Sequence, residues 1–154
     1  MPRAELPIDD AKAVHLFTAV AYSGKKKIGG WGVVLRFADE EKGSSGQVDA
    51  ASPNRMHLLG AIAGLEALKR PVRVHLYTVS DYLKDGATTW VAGWKNRGWA
   101  TREGKPVSHR DLWQRLDQLA SKYRVQWHVV DKDDLPPDME YAKQLARDAL
   151  KLAD

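Results

Sequence analysis

The residues whose types and spacing most clearly suit a functional role form a basic, tryptophan-rich stretch in the second half of the chain. Residues 93–115 contain six Lys or Arg side chains and two acidic ones, and the resulting +4 equals the formal net charge of the whole chain. Four of the six tryptophans fall in or beside this stretch: Trp90, Trp94, Trp99 and Trp113. Cations bind phosphates and planar side chains pack against sugars or bases, so the stretch favours a nucleic-acid-binding surface. The alternative is a solvated helix face, which charged runs more often form.

Few other residues have the types and spacing of a catalytic site. His57 and His15 are isolated histidines, for which a structural role is usual. Asp133 and Asp134 could bind a metal together with His57, although adjacent acids in a loop are more often solvated. The segment Gly29-Gly30-Trp31-Gly32 leads into a strand rather than a helix, so it is not a dinucleotide-binding fingerprint. The sequence also contains no P-loop and no serine or cysteine nucleophile motif.

Hydrophobic spacing predicts the elements that must position these residues. Three strands at residues 14–22, 31–37 and 47–51 predict an antiparallel meander, with turns at 25–30 and 39–46 between them. A 3.6-residue apolar spacing predicts a helix from residue 54 until Pro71 ends it. Further elements follow: a strand at 72–78, helices at 81–85 (stopped by Gly86), 90–96 and from 108 or 109 to 120, a strand at 125–130, and a helix at 138–152. This order predicts an α/β fold, with a mixed five-stranded sheet and helices on both faces.

Composition restricts the class of protein. The content of 29% charged and 44% hydrophobic residues is typical of a soluble globular protein. We expect an N-terminal tail at residues 1–13, and a single domain at 14–154 with a basic protrusion at about 90–108. No apolar run is long enough to span a membrane, and residues 1–13 lack the apolar core of a signal peptide. The absence of cysteine excludes disulfides and thiolate metal sites, and agrees with a cytoplasmic location.

Four short segments resemble the type 1 (bacterial HI-like) ribonuclease H family. Leu16-Phe17-Thr18-Ala19 lies where the family carries Phe-Thr-Asp, and Asn54-Arg55-Met56-His57-Leu58 resembles Asn-Arg-Met-Glu-Leu. The family has Thr-Asp-Ser in the place of Thr78-Val79-Ser80. It has Asp followed by Glu-Leu-Ala in the place of Lys143-Gln144-Leu145-Ala146, which here follow Ala142. The resemblance covers about residues 14–150, is most specific at 90–116, and implies a ribonuclease H-like fold.

The resemblance also implies where catalysis would take place. It puts the four metal-binding carboxylates of the family at Ala19, His57, Val79 and Lys143, and a mobile loop histidine at Asp133. Two-metal cleavage holds two divalent ions about 3.5–4 Å apart on several carboxylates. Alanine and valine offer no ligand, histidine is a poor ligand for magnesium, and lysine repels a cation. We therefore expect an inactive ribonuclease H homologue that is not an enzyme and uses no metal or cofactor.

The resemblance implies a retained binding surface. The segment from Trp90 to Trp99 matches the basic protrusion that lies against the DNA strand of an RNA–DNA hybrid in the family, so we expect a hybrid or another duplex as partner. Such binding would need no metal. Lys143 either holds a phosphate near the place of the metal or is a surface residue of the last helix. The expected contacts are Trp90, Trp94, Lys95, Asn96, Arg97, Trp99, Lys105, Arg36, Asn54, Lys25, Lys26, Lys27 and Lys143.

Two other functions stay open at this point. The chain could be a protein-interaction module that reuses the fold, because tryptophan and arginine also anchor protein interfaces. It could also be a divergent enzyme with a relocated site. Neither the partner nor the oligomeric state follows from the sequence.

Overall fold

The structure is a computed structural model that describes residues 10, 12–49 and 52–151. One five-stranded sheet has the order β3-β2-β1-β4-β5. The antiparallel pairs β1–β2 and β2–β3 and the parallel pairs β1–β4 and β4–β5 make it a mixed sheet, as predicted. The strands are β1 (Val14–Ser23), β2 (Ile28–Phe37), β3 (Glu40–Asp49), β4 (Val74–Thr78) and β5 (Val125–Val129).

Helices pack on both faces of this sheet. Leu16, Leu58 and Trp113 belong to a core cluster that joins one face to the first and fourth helices, whereas Phe17 and Met139 join the other face to the last helix. Among the described helices, none combines the length and apolar character needed to cross a membrane. The helices are α1 (Pro53–Glu66), α2 (Asp81–Asp85), α3 (Val91–Asn96), α4 (Arg110–Lys122) and α5 (Pro137–Lys151), and a π-helical segment (Gly86–Trp90) joins α2 to α3.

The start of α1 follows from local chemistry. Ser52 caps the helix, since its hydroxyl oxygen accepts the backbone N–H of Arg55 at 3.2 Å, and Pro53 occupies a first-turn position that needs no N–H. The helix ends at Glu66, four residues before the predicted end. The amide of Ala67 is shared between the carbonyls of Ala63 and Gly64, the tightening that often ends a helix.

Strands β2 and β3 are longer than predicted. Gly29 and Gly30 belong to β2 rather than to a turn, and the backbone of α5 lies so close to Gly30 and Gly32 that a Cβ there would overlap it. The predicted turn at 39–46 is wrong, and the predicted strand at 47–51 begins too late, because β3 spans Glu40–Asp49. Residues 50 and 51 lie outside the described ranges. As an edge strand with mostly exposed side chains, β3 carries no apolar alternation to mark it.

The predicted bounds of α2 at residues 81–85 are confirmed, but Gly86 does not stop the chain with a left-handed turn as predicted. Its φ of −61° and ψ of −48° are right-handed helical, and the chain continues through the π-helical segment into α3. The ring of Trp113 lies directly over Gly86, where a Cβ would collide with it. Glycine is therefore used here for close packing rather than for a left-handed cap.

Candidate functional site

The positions that correspond to family carboxylates meet at one end of the sheet. Phe17 of β1 is paired with Tyr77 of the parallel strand β4. Ala19 and Val79 stand two residues further along each chain, so both lie at the carboxyl end of this central pair. Ala19 is only 5% exposed, and Val79 immediately follows β4.

His57 and Lys143 approach the same end from the two helical layers. His57 is in the first turns of α1, and its pKa falls to about 4 because of burial and the nearby Lys143 ammonium. Lys143 Nζ donates a hydrogen bond to the carbonyl oxygen of Val20, the residue that follows Ala19, at 2.5 Å. Burial, followed by the charge of Arg147, lowers the pKa of Lys143. We call this end of the sheet, which α1 reaches from one face and α5 from the other, the cleft.

The residues of the cleft do not fit a pair of divalent cations. Ala19 and Val79 have no donor atom, and the Lys143 ammonium already donates to a backbone carbonyl. Within residues 10, 12–49 and 52–151, no group of three or more His, Cys, Asp or Glu side chains could hold a metal ion. Asp133 lies in the exposed loop after β5, where its amide donates to a carboxylate oxygen of Asp131 at 2.9 Å.

The tryptophans of the protrusion form an aromatic cluster around Trp94. The Trp94 ring centroid lies 5.9 Å from that of Trp90, 6.5 Å from Trp99 and 5.4 Å from Trp113. Trp113 is fully buried, and its indole N–H donates to the Tyr82 hydroxyl at 2.9 Å. Trp94 and Trp99 are half-buried, whereas Trp90 is 37% exposed. Most of these rings therefore pack the protrusion together, and Trp90 offers the most accessible indole face.

The cations of the protrusion differ in their freedom to bind a ligand. Lys95 forms an ion pair with Asp117 at 3.1 Å, and Arg97 Nε donates to the carbonyl of Ala100 at 3.1 Å. Lys105 is exposed and is held through its backbone: its amide donates to the Thr101 hydroxyl at 3.1 Å, and its carbonyl accepts from the Thr101 amide at 2.7 Å. Asn96 is exposed at the end of α3. Arg97 keeps its terminal guanidinium nitrogens for a ligand, and Lys105 keeps its ammonium.

The turn after β1 adds charge beside the cleft, but Arg36 does not. Lys25, Lys26 and Lys27 are exposed in the turn between β1 and β2, at the same end of the sheet as Val20. Arg36 pairs with His15 at the opposite end of β1. There its guanidinium binds Asp138 at 2.5 Å and Glu41 at 3.4 Å. The structure thus separates Arg36 from the other candidate residues. Asn54 lies close to the cleft, because it is exposed on α1 one turn before His57.

Arg55 links α1 to the protrusion, which the sequence alone did not indicate. Its guanidinium lies 3.3 Å from His109 Nδ1 and forms an ion pair with Asp111 at 3.1 Å. Burial and then Arg55 lower the pKa of His109, while the hydrogen bond from Arg55 lowers that of Asp111. Arg147, one turn after Lys143 on α5, is a second residue that sequence reasoning missed. Only the helical period, applied to Lys143, could have suggested it.

Comparison with known proteins identifies relatives of this chain and of its fold. A family model described as RNase H matches residues 11–151. A protein named Ribonuclease H from Bradyrhizobium sp. (strain ORS 278) is 45% identical over 150 residues, which are 97% of this chain and 94% of the relative. LC9-RNase H1, described as a type 1 RNase H with the type 2 active-site motif, superposes with a TM-score of 0.80 at 26% identity, over 94% of this chain and 75% of that chain. A foamy viral protease-reverse transcriptase, solved in complex with an RNA/DNA hybrid, shares the fold, with a TM-score of 0.71, 16% identity, and coverage of 97% of this chain and 21% of that chain.

These relatives contradict the expectation that the chain is an inactive homologue and not an enzyme. The near full-length relative carries the name of an enzyme, and nothing in the comparisons shows a loss of catalysis. The expectation of a metal-independent pseudoenzyme, which relied on the five replaced family positions alone, is therefore wrong. The predicted ribonuclease H-like fold is confirmed. The matched family model and the 45% identity over almost the whole chain show that this protein belongs to the ribonuclease H family.

Proposed function

We propose that this chain binds RNA–DNA hybrids along a basic track that crosses the cleft. The observation that carries the proposal is the position of exposed cations on both sides of the cleft. The turn of residues 24–27 follows β1, and the first turn of α1 lies at the same end of the sheet, because Met56 packs over Gly29. The ion pair of Arg55 with Asp111 brings the start of α4, directly after the protrusion, to this end. A duplex along this end would meet Arg97 and Lys105 on one side and Lys25 and Lys27 on the other.

The helix α1 supplies the middle of the track. Asn54 is exposed on its first turn and can donate or accept hydrogen bonds with the sugar–phosphate backbone. Arg55 ties this turn to the start of α4, directly after the protrusion, through the ion pair with Asp111. Pre-positioned contacts of this kind reduce the ordering that binding requires.

A hybrid is the ligand we favour among the possible duplexes. The relatives are named Ribonuclease H, and the foamy viral structure with the same fold was solved with an RNA/DNA hybrid. The exposed face of Trp90 suits packing against a sugar of one strand, a contact that tolerates any base sequence. The cations suit phosphates, which supply affinity but no sequence selection.

The proposal is tested by fluorescence anisotropy with a 12-base-pair RNA–DNA hybrid, a DNA duplex and an RNA duplex, over a range of salt concentrations. The double variant Arg97→Ala, Lys105→Ala should weaken hybrid binding and lower the slope of log affinity against log salt by up to about two. The matched control is Lys122→Ala, Arg124→Ala, which removes the same charge near the opposite end of the sheet and should leave both quantities unchanged. Absence of hybrid binding at low salt would contradict the proposal.

The same samples are assayed for cleavage of the RNA strand with magnesium and with manganese. The name of the relatives implies that reaction for the family, whereas the cleft residues do not supply the usual cation ligands. Binding and cleavage are thus measured on one preparation, and each is interpreted separately.

Two other expectations from the sequence stay predictions. A protein partner would use the exposed Trp90 face, and it becomes the first alternative if no nucleic acid binds. The cytoplasmic location continues to depend on the cysteine-free composition.

A further inference from the structure

We propose that Lys143, Arg147 and His57 together form a binding site for one backbone phosphate of the duplex, inside the cleft. This inference rests on the proposed hybrid binding and names the group that enters the cleft. Lys143 was already an expected contact, and the structure adds a fixed position for its ammonium and two neighbouring basic side chains.

The backbone of α5 fixes the position of Lys143. The carbonyls of Ala142 and Ala146 contact Gly32 and Gly30 of β2 so closely that the helix has little freedom to slide. From this helix the Lys143 ammonium reaches the carbonyl oxygen of Val20 on β1 at 2.5 Å. An ammonium has three N–H donors, and this bond uses one of them. In the described part of the chain Lys143 has no acidic side chain as a partner, so two donors are free for an anion.

Arg147 makes the site more positive. It follows Lys143 by one helical turn, and the two like charges at this spacing repel each other. Asp148, the acid that follows Arg147, accepts a hydrogen bond from the Gln144 amide at 2.9 Å. A bound anion would relieve this repulsion, and a phosphodiester supplies one negative charge and two free oxygens.

His57 completes the site as a neutral donor. With a pKa of about 4, its imidazole is uncharged at pH 7 and still carries one N–H. Ala19 and Val79, which line the same end of the sheet, bring no negative charge to repel a phosphate. The cleft therefore presents an ammonium, a guanidinium and an imidazole to a ligand, with chemistry that recognises phosphate rather than a cation.

The experiment measures hybrid affinity for Lys143→Gln, Lys143→Arg and a control, Lys122→Gln, on the remote end of α4. We expect Lys143→Gln to weaken binding about 5- to 10-fold at 50 mM salt and to lower the salt slope by about one, the value for one phosphate contact. Lys143→Arg keeps the charge and should stay within about twofold of the unaltered chain. Lys122→Gln should change neither quantity.

A second readout locates the phosphate. In the unaltered chain, saturation with the 12-base-pair hybrid should raise the pKa of His57 by about one unit or more, measured from its ring NMR signals, because a nearby negative charge stabilises the imidazolium. In Lys143→Gln the free protein should already show a raised His57 pKa, and the hybrid should change it less.

The inference is overturned if Lys143→Gln binds the hybrid as tightly as Lys122→Gln does, or if the hybrid leaves the His57 pKa unchanged. If the double variant Arg97→Ala, Lys105→Ala still loses affinity in that case, hybrid binding stands and only the phosphate site is lost. If the unaltered chain binds no hybrid at all, the proposed function itself fails.

Discussion

Nδ1 of His75 lies 2.8 Å from Nε2 of His128, with the two rings stacked at a centroid distance of 5.0 Å across β4 and β5. The other nitrogen of His75, Nε2, lies 3.0 Å from the Asp10 carboxylate. A carboxylate can only accept, so neutral His75 must carry its proton on Nε2 and accept at Nδ1. His128 must then donate from Nε2.

The tautomer of His15 on β1 is fixed in the same way. Its Nε2 lies 3.0 Å from the backbone carbonyl of Asp10, and its Nδ1 lies 2.9 Å from the Tyr77 hydroxyl. A carbonyl only accepts, so His15 donates from Nε2 and Tyr77 donates to Nδ1. One continuous set of hydrogen bonds thus joins Asp10 to three strands of the sheet.

The first prediction is that His15, His75 and His128 are all protonated at Nε2 and not at Nδ1 at pH 7.5. Long-range nitrogen–proton NMR correlations distinguish the two tautomers directly. In the variant Asp10→Ala, His75 loses the acceptor that fixes its tautomer, so its signals should show a mixture while His57 is unaffected. A His75 that carries its proton on Nδ1 in the unaltered chain would contradict the hydrogen bond to His128.

The second prediction is a loss of stability between about pH 6.5 and pH 4.5. Burial lowers the pKa of His57 to about 4, and burial followed by His75 and His15 lowers that of His128. The stability that these neutral rings contribute is fully present above the unfolded pKa of about 6.5, and it is lost as pH falls towards the folded values, because the unfolded chain then binds more protons.

For His57 alone the loss should reach about 2 kcal/mol by pH 4.5, measured from urea unfolding midpoints. His57→Gln should remove that part of the pH dependence while leaving the contribution of His128. Asp10 and Asp111, whose carboxyl pKa values are lowered by hydrogen bonds from His75 and Arg55, lose their contribution only at more acidic pH. Equal pH profiles for His57→Gln and the unaltered chain would contradict the assignment.

The sequence predicted the elements that apolar residues mark clearly, either as a continuous buried run in β1 and β4 or at helical spacing in α5. β1, β4 and α5 were placed correctly because their apolar residues face the core, although the end of α5 beyond Lys151 lies outside the described residues. β3 was misplaced because its exposed side chains carry no period. Gly86 was misread because a glycine needed for contact with Trp113 looks the same in sequence as one needed for a turn.

The candidate site was predictable only in part. The resemblance located Ala19, His57, Val79 and Lys143, but tertiary contacts decide what these side chains do. The bond from Lys143 to Val20 joins residues 123 positions apart, and no local pattern encodes it. Substituted motif positions were also weak evidence about activity, as the near full-length relative named Ribonuclease H shows.

The third prediction concerns the packing of α5 against the sheet. In Gly32→Ala the new methyl group would meet the backbone carbonyl of Ala142, which cannot move without shifting the helix. We expect a destabilisation of about 2–3 kcal/mol and weaker hybrid binding, because the helix that carries Lys143 is displaced. Gly24→Ala is the control, since its methyl group would make only an ordinary contact with Tyr22, and it should change the urea midpoint little. A neutral Gly32→Ala would mean that the helix has room to adjust.

The fourth prediction separates binding from packing among the tryptophans. Trp90→Ala should reduce hybrid affinity by about 1–2 kcal/mol with little change in the salt slope, because a stacking contact releases no counterions. Its effect on stability should be small, since the ring is 37% exposed. Trp113→Ala should instead cost about 3–5 kcal/mol of stability, because this ring of α4 is fully buried in the core cluster with Leu16 and Leu58. If Trp90→Ala bound the hybrid as tightly as the unaltered chain, Trp90 would not be a contact of the duplex.

The fifth prediction tests what carboxylates would do in the cleft. Ala19 is buried in an apolar cluster with Phe17, Val34 and Tyr77, so Ala19→Asp places an unpaired charge there. The free energy of unfolding should fall by something on the order of a few kcal/mol, and added magnesium should not restore it, because one ligand cannot organise the ions. Val79→Asp is the matched control, since this position is only half-buried and the loss should be smaller.

The full replacement should behave differently from either single variant. Ala19→Asp, His57→Glu, Val79→Asp and Lys143→Asp together supply four carboxylates at one end of β1 and β4. These should repel one another in the absence of metal and be stabilised by magnesium, so the thermal midpoint should rise with magnesium concentration, which it should not do in the single variants. Magnesium-dependent cleavage of a hybrid should also be faster than in the unaltered chain. If the thermal midpoint of the fourfold variant did not change with magnesium concentration, the four positions would not converge as the structure places them.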